Sequence, residues 1–121
     1  MNTEATSTQV TCSFDMRFAP ENMERATHLL LSVMERIRVK RGCRTCTVSN
    51  DAIERDVVLY REDWDSEEFF QQHVRSDDFR RVLFAIDLCC EEPKIMVANL
   101  SGHIGMEYLR GLREKKGETT A

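Results

Sequence analysis

The sequence predicts one α+β domain, an antiparallel sheet covered by helices, and three observations lead to this prediction. Apolar and polar residues alternate strictly from Val10 to Phe18, as in a half-buried strand. From Pro20 to Ile37 the apolar residues instead recur at helical spacing. Further strand-like stretches stand on both sides of a region with two good helix caps. The chain has 121 residues, enough for one sheet and two or three helices but not for a second domain.

The first strand and the first helix follow directly from these two periods. Pro20 suits the first helical turn, where its missing N–H leaves no hydrogen bond unmade. Gly42 is expected to end the helical segment. The residues predicted to face the core are Val10, Cys12, Phe14, Met16 and Phe18 in the strand and Met23, Ala26, Leu30, Val33 and Ile37 in the helix.

A hairpin is predicted next. A second strand runs from about Cys43 to Asn50, polar residues 50–55 turn the chain, and a third strand runs from Asp56 to Trp64. The third strand and the fourth, near residues 94–100, carry apolar side chains on both faces. Since helices can cover only one face of such a sheet, we expect the other face to meet a second copy of the chain. The sequence thus predicts a homodimer formed through sheet faces.

Two short helices separate the third and fourth strands. Ser66 is a good cap for the first of them, which is expected to end near Arg75. Ser76 or Asp77 caps the second, and Pro93 prevents that helix from continuing. The predicted order is therefore β-α-β-β-α-α-β with an antiparallel sheet, a ferredoxin-like arrangement that serves many unrelated functions.

The two ends of the chain are predicted to lie outside this domain. We expect a flexible tail at residues 1–9, the domain itself at 10–101, and a C-terminal helical extension and tail at 102–121. The extension is suggested by Met106, Leu109 and Leu112, which recur at intervals of three. A frayed tail with incidental leucines is the alternative.

Charge and composition exclude several classes of function. A net charge of -4 gives no basic surface that would collect phosphates, so a nucleic-acid partner is not expected. No apolar run approaches the ~20 residues that cross a bilayer. The first nine residues have neither the positive start nor the apolar core of a signal peptide, which predicts a cytoplasmic protein without a membrane partner. The five cysteines form an odd set and are expected to stay reduced.

One stretch of the sequence points to a known family. The segment YREDWDSEEFFQQHVRSDDF, from Tyr60 to Phe79, has an acidic residue and a tryptophan closing a strand, an acidic helix start, and a histidine followed by Ser-x-x-Phe. Together with RGC before the second strand, it resembles the antibiotic-biosynthesis-monooxygenase-like family of dimeric α/β barrels, which includes quinol monooxygenases. The resemblance covers about residues 10–101.

This resemblance implies oxygenation of an electron-rich phenol or quinol by dioxygen, with no metal, flavin or haem as cofactor. Such a site must deprotonate a hydroxyl group, hold a flat aromatic ring and exclude bulk water. His73 is the candidate catalytic residue, because an imidazole exchanges protons near neutral pH and His73 is expected to face the sheet. A core-edge histidine bonded to a backbone carbonyl is the competing interpretation.

Three further residues are candidates for binding a small aromatic substrate. Trp64 could stack on its ring, although a tryptophan at a strand end often serves packing alone. Tyr60 could supply a phenolic hydrogen bond or be a core tyrosine with its hydroxyl at the rim. Asn50 could hold an oxyanion or simply initiate the turn after the second strand.

Other chemistries fit the sequence less well. Cys43 and Cys46 have the spacing of a redox dithiol, but residues three apart on a strand point to opposite faces, and zinc would require further ligands. Haem-degrading relatives place an axial histidine where this sequence has Leu83, which cannot ligate iron. The alternative to a monooxygenase is a non-catalytic homodimer that binds a small aromatic ligand or serves as a structural module.

Overall fold

The computed structural model describes residues 9–99, 102–104 and 109–111. Its elements are β1 (Val10–Arg17), α1 (Pro20–Arg38), β2 (Cys43–Asn50), β3 (Val57–Trp64), α2 (Glu67–Val74), α3 (Asp77–Asp87), β4 (Lys94–Asn99) and β5 (Gly102–Ile104). The five strands form one antiparallel sheet in the spatial order β2-β3-β1-β4-β5. The ferredoxin-like α+β fold predicted from the sequence is confirmed.

The strand β5 was not predicted. It pairs with β4 and extends the sheet beyond residue 101, where the predicted domain ends and the predicted helical extension begins. Three residues are too few to show a period in sequence, so this strand had no signal of its own. Farther along, residues 109–111 are helical and Leu109 is buried. The rest of the predicted extension, like the predicted tail at residues 1–8, lies outside the described residues.

The core lies between the helices and the inner face of the sheet. Phe14 in β1 stands opposite Tyr60 in β3 and Ile95 in β4, and the rings of Phe14 and Tyr60 are stacked with their centroids 5.9 Å apart. Every residue of β1 that was predicted to face the core is buried. The same alternation places the even-numbered residues of β3 against the helices: Val58, Tyr60, Glu62 and Trp64.

Local signals fix the segments around β3. The hydroxyl groups of Ser66 and Ser76 each accept a hydrogen bond from a backbone N–H, of Phe69 and of Phe79, and so cap α2 and α3. Gly42 has a φ of 88°, which favours glycine, and a Cβ there would lie 2.3 Å from the Phe69 ring. The turn before β2 therefore brings the backbone directly against α2.

The outer face of the sheet is the face opposite the buried, even-numbered side chains of β3. It carries polar groups, among them the hydrogen-bonded set of Thr11, Thr45, Arg61 and Asp63. It also carries apolar side chains, and Met96 is 39% exposed there. None of the helices in the described part of the chain has the length and apolar character required to span a membrane.

Candidate active site

The centre of the site is Glu62, a carboxylate with no solvent exposure. It lies in the middle of the buried face of β3, between Tyr60 and Trp64. A buried carboxylate is tolerated only when hydrogen-bond donors replace the water that it has lost. Its position in the strand therefore requires specific partners.

Three donors surround this carboxylate. The Tyr60 hydroxyl donates to Oε2 over 2.5 Å, and the indole Nε1–H of Trp64 donates to Oε1 over 2.8 Å. Nε2 of His73, from α2, lies 2.9 Å from Oε2. We refer to Glu62, Tyr60, Trp64 and His73 as the Glu62 cluster. All four residues are at most 2% exposed, so the cluster is a buried polar group within the apolar core.

Lys40 determines which nitrogen of His73 carries the proton. Its Nζ lies 3.0 Å from His73 Nδ1, and because an ammonium group has only donors, Nδ1 must accept. The neutral imidazole then carries its hydrogen on Nε2 and donates it to Glu62. The tautomer thus follows from the two partners of the ring. A continuous line of hydrogen bonds runs from Lys40 through His73 to the buried carboxylate.

Lys40 is itself held in place by α3 and its cap. Nζ donates to Ser76 Oγ over 3.1 Å and lies 3.2 Å from Oδ2 of Asp78. The Arg36 guanidinium binds the other oxygen of Asp78 over 2.7 Å. Partial burial by itself would raise the pKa of Asp78, but the hydrogen bonds from Arg36 and Lys40 hold it below its usual value. Asp78 is therefore a carboxylate that anchors Lys40 at neutral pH.

Aromatic rings enclose the imidazole. The Trp64 ring lies 4.7 Å from the His73 ring, centroid to centroid, and the Phe79 ring meets His73 edge-on at 5.3 Å. These contacts restrict rotation of the imidazole. The two ring contacts therefore help to hold the imidazole in the orientation in which both of its nitrogens are hydrogen-bonded.

A pocket of about 560 Å³ opens beside the cluster, between the turn after α1, the end of β3 and α2. This volume falls within the usual range for a small-molecule site. We call it the Trp64 pocket, and its lining residues are Lys40, Arg41, Trp64, Glu68, Phe69, Gln72 and His73. The pocket has aromatic walls. It is also lined by Lys40 and His73, the two residues whose hydrogen bonds lead to Glu62.

Comparison with known proteins identifies the family. The sequence profile described as "Antibiotic biosynthesis monooxygenase" matches residues 10–83, more than half of the chain. The chain belongs to the antibiotic biosynthesis monooxygenase family. The matched region includes the whole Glu62 cluster. No curated protein is significantly similar to the sequence.

Solved structures share the family fold. A conserved protein of Methanosarcina mazei superposes with a TM-score of 0.68 at 20% identity, over 76% of this chain and 92% of its own. A protein of Shewanella oneidensis superposes with a TM-score of 0.69 at 17% identity, over 78% of this chain and 91% of its own. A protein of Deinococcus radiodurans carries the provisional name antibiotic biosynthesis monooxygenase. It superposes with a TM-score of 0.66 at 20% identity, over 73% of this chain and 88% of its own. At these identities the likeness establishes the fold.

The four residues predicted from the sequence are only partly brought together. His73 and Trp64 lie side by side and line the Trp64 pocket. Tyr60 belongs to the same cluster, but its hydroxyl is buried against Glu62 and does not line the pocket. Asn50 is exposed and pairs with Val58, six residues or about 20 Å along β3 from Trp64. Asn50 therefore does not join the other three in this family member.

Sequence reasoning missed Glu62 and Lys40. Glu62 stands between two inward-facing aromatic residues of a strand, and that alternation was a usable signal for a buried carboxylate. Lys40 was assigned to the basic end of the first helix. Its partners His73, Ser76 and Asp78 are more than thirty residues away, so no local pattern could have indicated its role.

The two cysteines of β2 depart from the predicted geometry. The strand is irregular between Cys43 and Thr45, and this bulge sets Cys43 opposite Trp64 and Cys46 opposite Glu62, both inward-facing positions. The prediction that the two side chains point to opposite faces is therefore wrong. Burial raises the pKa of Cys43 to about 11 and that of Cys46 to about 12, which disfavours the reactive thiolates.

Cys46 gives the fold a testable sensitivity to alkaline pH. Its buried thiol keeps its proton to about pH 12, whereas a free thiol has a pKa of 9.0. The folded chain then binds more protons than the unfolded chain, so the free energy of unfolding should fall as pH rises from about 9 to 12. We expect Cys46→Ala to reduce this slope by up to ~1.4 kcal/mol per pH unit, measured by urea unfolding. An unchanged slope would contradict the assignment.

Proposed function

We propose that the protein is a cofactor-independent monooxygenase that oxidises a quinol or a polycyclic phenol with dioxygen. The observation that carries the proposal is the hydrogen-bonded line from Lys40 through His73 to Glu62, one end of which opens on the aromatic-walled Trp64 pocket. Membership of the antibiotic biosynthesis monooxygenase family supports the same type of reaction.

His73 is proposed to take the hydroxyl proton of the substrate. Its Nδ1 is bonded to Lys40, which lines the pocket, whereas its Nε2 is bonded to the buried Glu62. A substrate hydroxyl would replace Lys40 at Nδ1, while Ser76 and Asp78 retain the ammonium group nearby. Transfer of the proton gives an imidazolium that Glu62 stabilises through Nε2. The resulting phenolate would lie beside the positive charge of Lys40.

The aromatic walls suit the oxidation that follows. Phe69 and Trp64 offer surfaces against which a flat ring can pack. The electron-rich anion reduces dioxygen, one oxygen atom enters the ring and the other leaves as water. For an anthrone, the balance is anthrone plus dioxygen giving anthraquinone plus water. For a quinol, it is quinol plus dioxygen giving hydroxyquinone plus water.

Tyr60 and Trp64 are proposed to position the carboxylate. Their donors occupy both oxygens of Glu62, so the oxygen that binds His73 is held in a fixed direction. The Tyr60 hydroxyl has a pKa raised well above its usual value by burial and by the neighbouring Glu62, which keeps it a donor. Tyr60 thus acts through Glu62, whereas Trp64 also contacts the pocket.

Oxygen uptake tests the proposal. Purified protein would be mixed with a panel of reduced quinols and anthrones, and the autoxidation rate in buffer would be subtracted. We expect uptake proportional to protein concentration with at least one member of the panel, and an oxygenated product by mass spectrometry. Uptake equal to buffer throughout the panel would overturn the proposal and favour a non-catalytic module that binds an aromatic ligand.

We propose further that the protein is a homodimer joined through the outer faces of its sheets. The apolar side chains there, among them the exposed Met96 and the partly exposed Leu59, support this arrangement. Sedimentation velocity should give about twice the chain mass of 14.1 kDa. Leu59→Arg should shift the protein toward monomer because it would bury an unpaired charge in the interface. A monomer at micromolar concentration, or an unaffected dimer in the variant, would contradict this interface.

A further inference from the structure

We infer that the Trp64 pocket selects an aromatic substrate that carries an anionic group, such as a carboxylate. This inference rests on the proposed function, because the pocket is taken to be the substrate site. It begins from the charges at the pocket wall, where Lys40 and Arg41 are adjacent in sequence and both line the cavity. The wall of this aromatic pocket therefore carries two cationic side chains.

Of the two cations that line the pocket in the described part of the chain, Arg41 is the one that remains available for a ligand. The three protons of the Lys40 ammonium are directed to His73, Ser76 and Asp78. By contrast, the contact that the described structure gives Arg41 is with an aromatic ring, since its guanidinium lies 5.9 Å from the centroid of Phe69. Its planar set of donors is suited to a carboxylate. A ligand carboxylate could therefore bind Arg41 without breaking an ion pair between described residues.

The pocket has one region suited to the aromatic ring of the ligand and another suited to its anionic group. A ring packed against Phe69 would extend toward Trp64 and His73, and its anionic group would remain near Arg41 at the exposed end of the pocket. The charged side chains that line the pocket favour an anionic ligand, because Lys40 and Arg41 outnumber Glu68. Among the described residues, Glu68 is the one acidic residue that lines the pocket, and it should oppose binding of an anion.

The test is calorimetric titration with two stable ligands of equal shape, anthraquinone-2-carboxylate and anthraquinone-2-carboxamide. We expect the acid to bind about tenfold more tightly than the amide, as one charge-assisted hydrogen-bonded pair would give. Arg41→Gln should remove this preference, and Glu68→Gln should increase it. A general disturbance of the pocket would not change the preference in opposite directions.

Arg25→Gln is the matched control. It removes the same charge from an exposed position near the start of α1, roughly 20 Å along the helix from the pocket, and should leave the preference unchanged. Equal affinity for the two ligands in the unaltered protein, or a preference that survives in Arg41→Gln, would overturn the inference. Selective binding without oxygen uptake would sustain the inference and reject the oxygenase. Turnover of neutral quinols without selective binding would sustain the oxygenase and reject the inference.

Discussion

Replacing Glu62 by alanine is expected to lower the free energy of unfolding by about 3–5 kcal/mol. The substitution leaves the Tyr60 hydroxyl, the Trp64 indole N–H and the His73 Nε2–H without their acceptor in a region closed to solvent. Each buried donor that loses its partner bears its full desolvation cost. Urea unfolding, followed by circular dichroism and by the fluorescence of the single tryptophan, measures the change.

Two further variants identify the cause. Glu24→Ala removes an exposed carboxylate from α1 and should change stability by no more than about 0.5 kcal/mol. Glu62→Gln keeps the size of the side chain and one acceptor oxygen. The decrease in its free energy of unfolding should therefore lie between those of Glu24→Ala and Glu62→Ala. If Glu62→Ala cost less than about 1 kcal/mol, the carboxylate would not be the organising centre of the cluster.

Replacing His73 by glutamine should reduce turnover of a quinol or anthrone substrate by about 10²–10⁴-fold while leaving ligand binding nearly unchanged. Glutamine can still donate a hydrogen bond to Glu62, but it cannot take a proton from the substrate. The fall should therefore lie in kcat rather than in KM. Steady-state oxygen uptake gives both constants, and circular dichroism shows whether the variant is folded.

The matched control is His28→Gln, which changes an exposed histidine of α1. Its turnover should equal that of the unaltered protein. Lys40→Met is informative for a different reason, because it removes the group that occupies His73 Nδ1 and would stabilise a phenolate. It should lower kcat and change the dependence of the rate on pH. Full turnover in His73→Gln would assign the proton transfer to another group.

Most of the fold could be predicted because its signals are local. The alternation from Val10 to Phe18 requires a strand with one buried face, and the caps at Ser66 and Ser76 mark the starts of two helices. The irregularity next to Cys43 could not be predicted in this way. A bulge depends on the pairing with a neighbouring strand, and the side chains that follow it point to the opposite face from the one that simple alternation predicts.

The site was predicted less completely because charged residues are normally assigned to solvent. That rule places Glu62 and Lys40 outside, and it fails for Glu62 because three donors from two elements meet in the core. His73 and Trp64 were found through the family resemblance. Their connection to each other through a buried carboxylate became visible only from the register of β3 and the placement of α2.

The most direct test of the proposed reaction is a turnover under ¹⁸O₂ with mass analysis of the product. The measurement would use the anthrone or quinol that gives the highest uptake, with His73→Gln in parallel. We predict one ¹⁸O atom in the product ring at a yield that depends on the unaltered protein, and the background yield in the variant. A product that carries oxygen only from water, or labelling equal in both proteins, would contradict oxygenation at the Glu62 cluster.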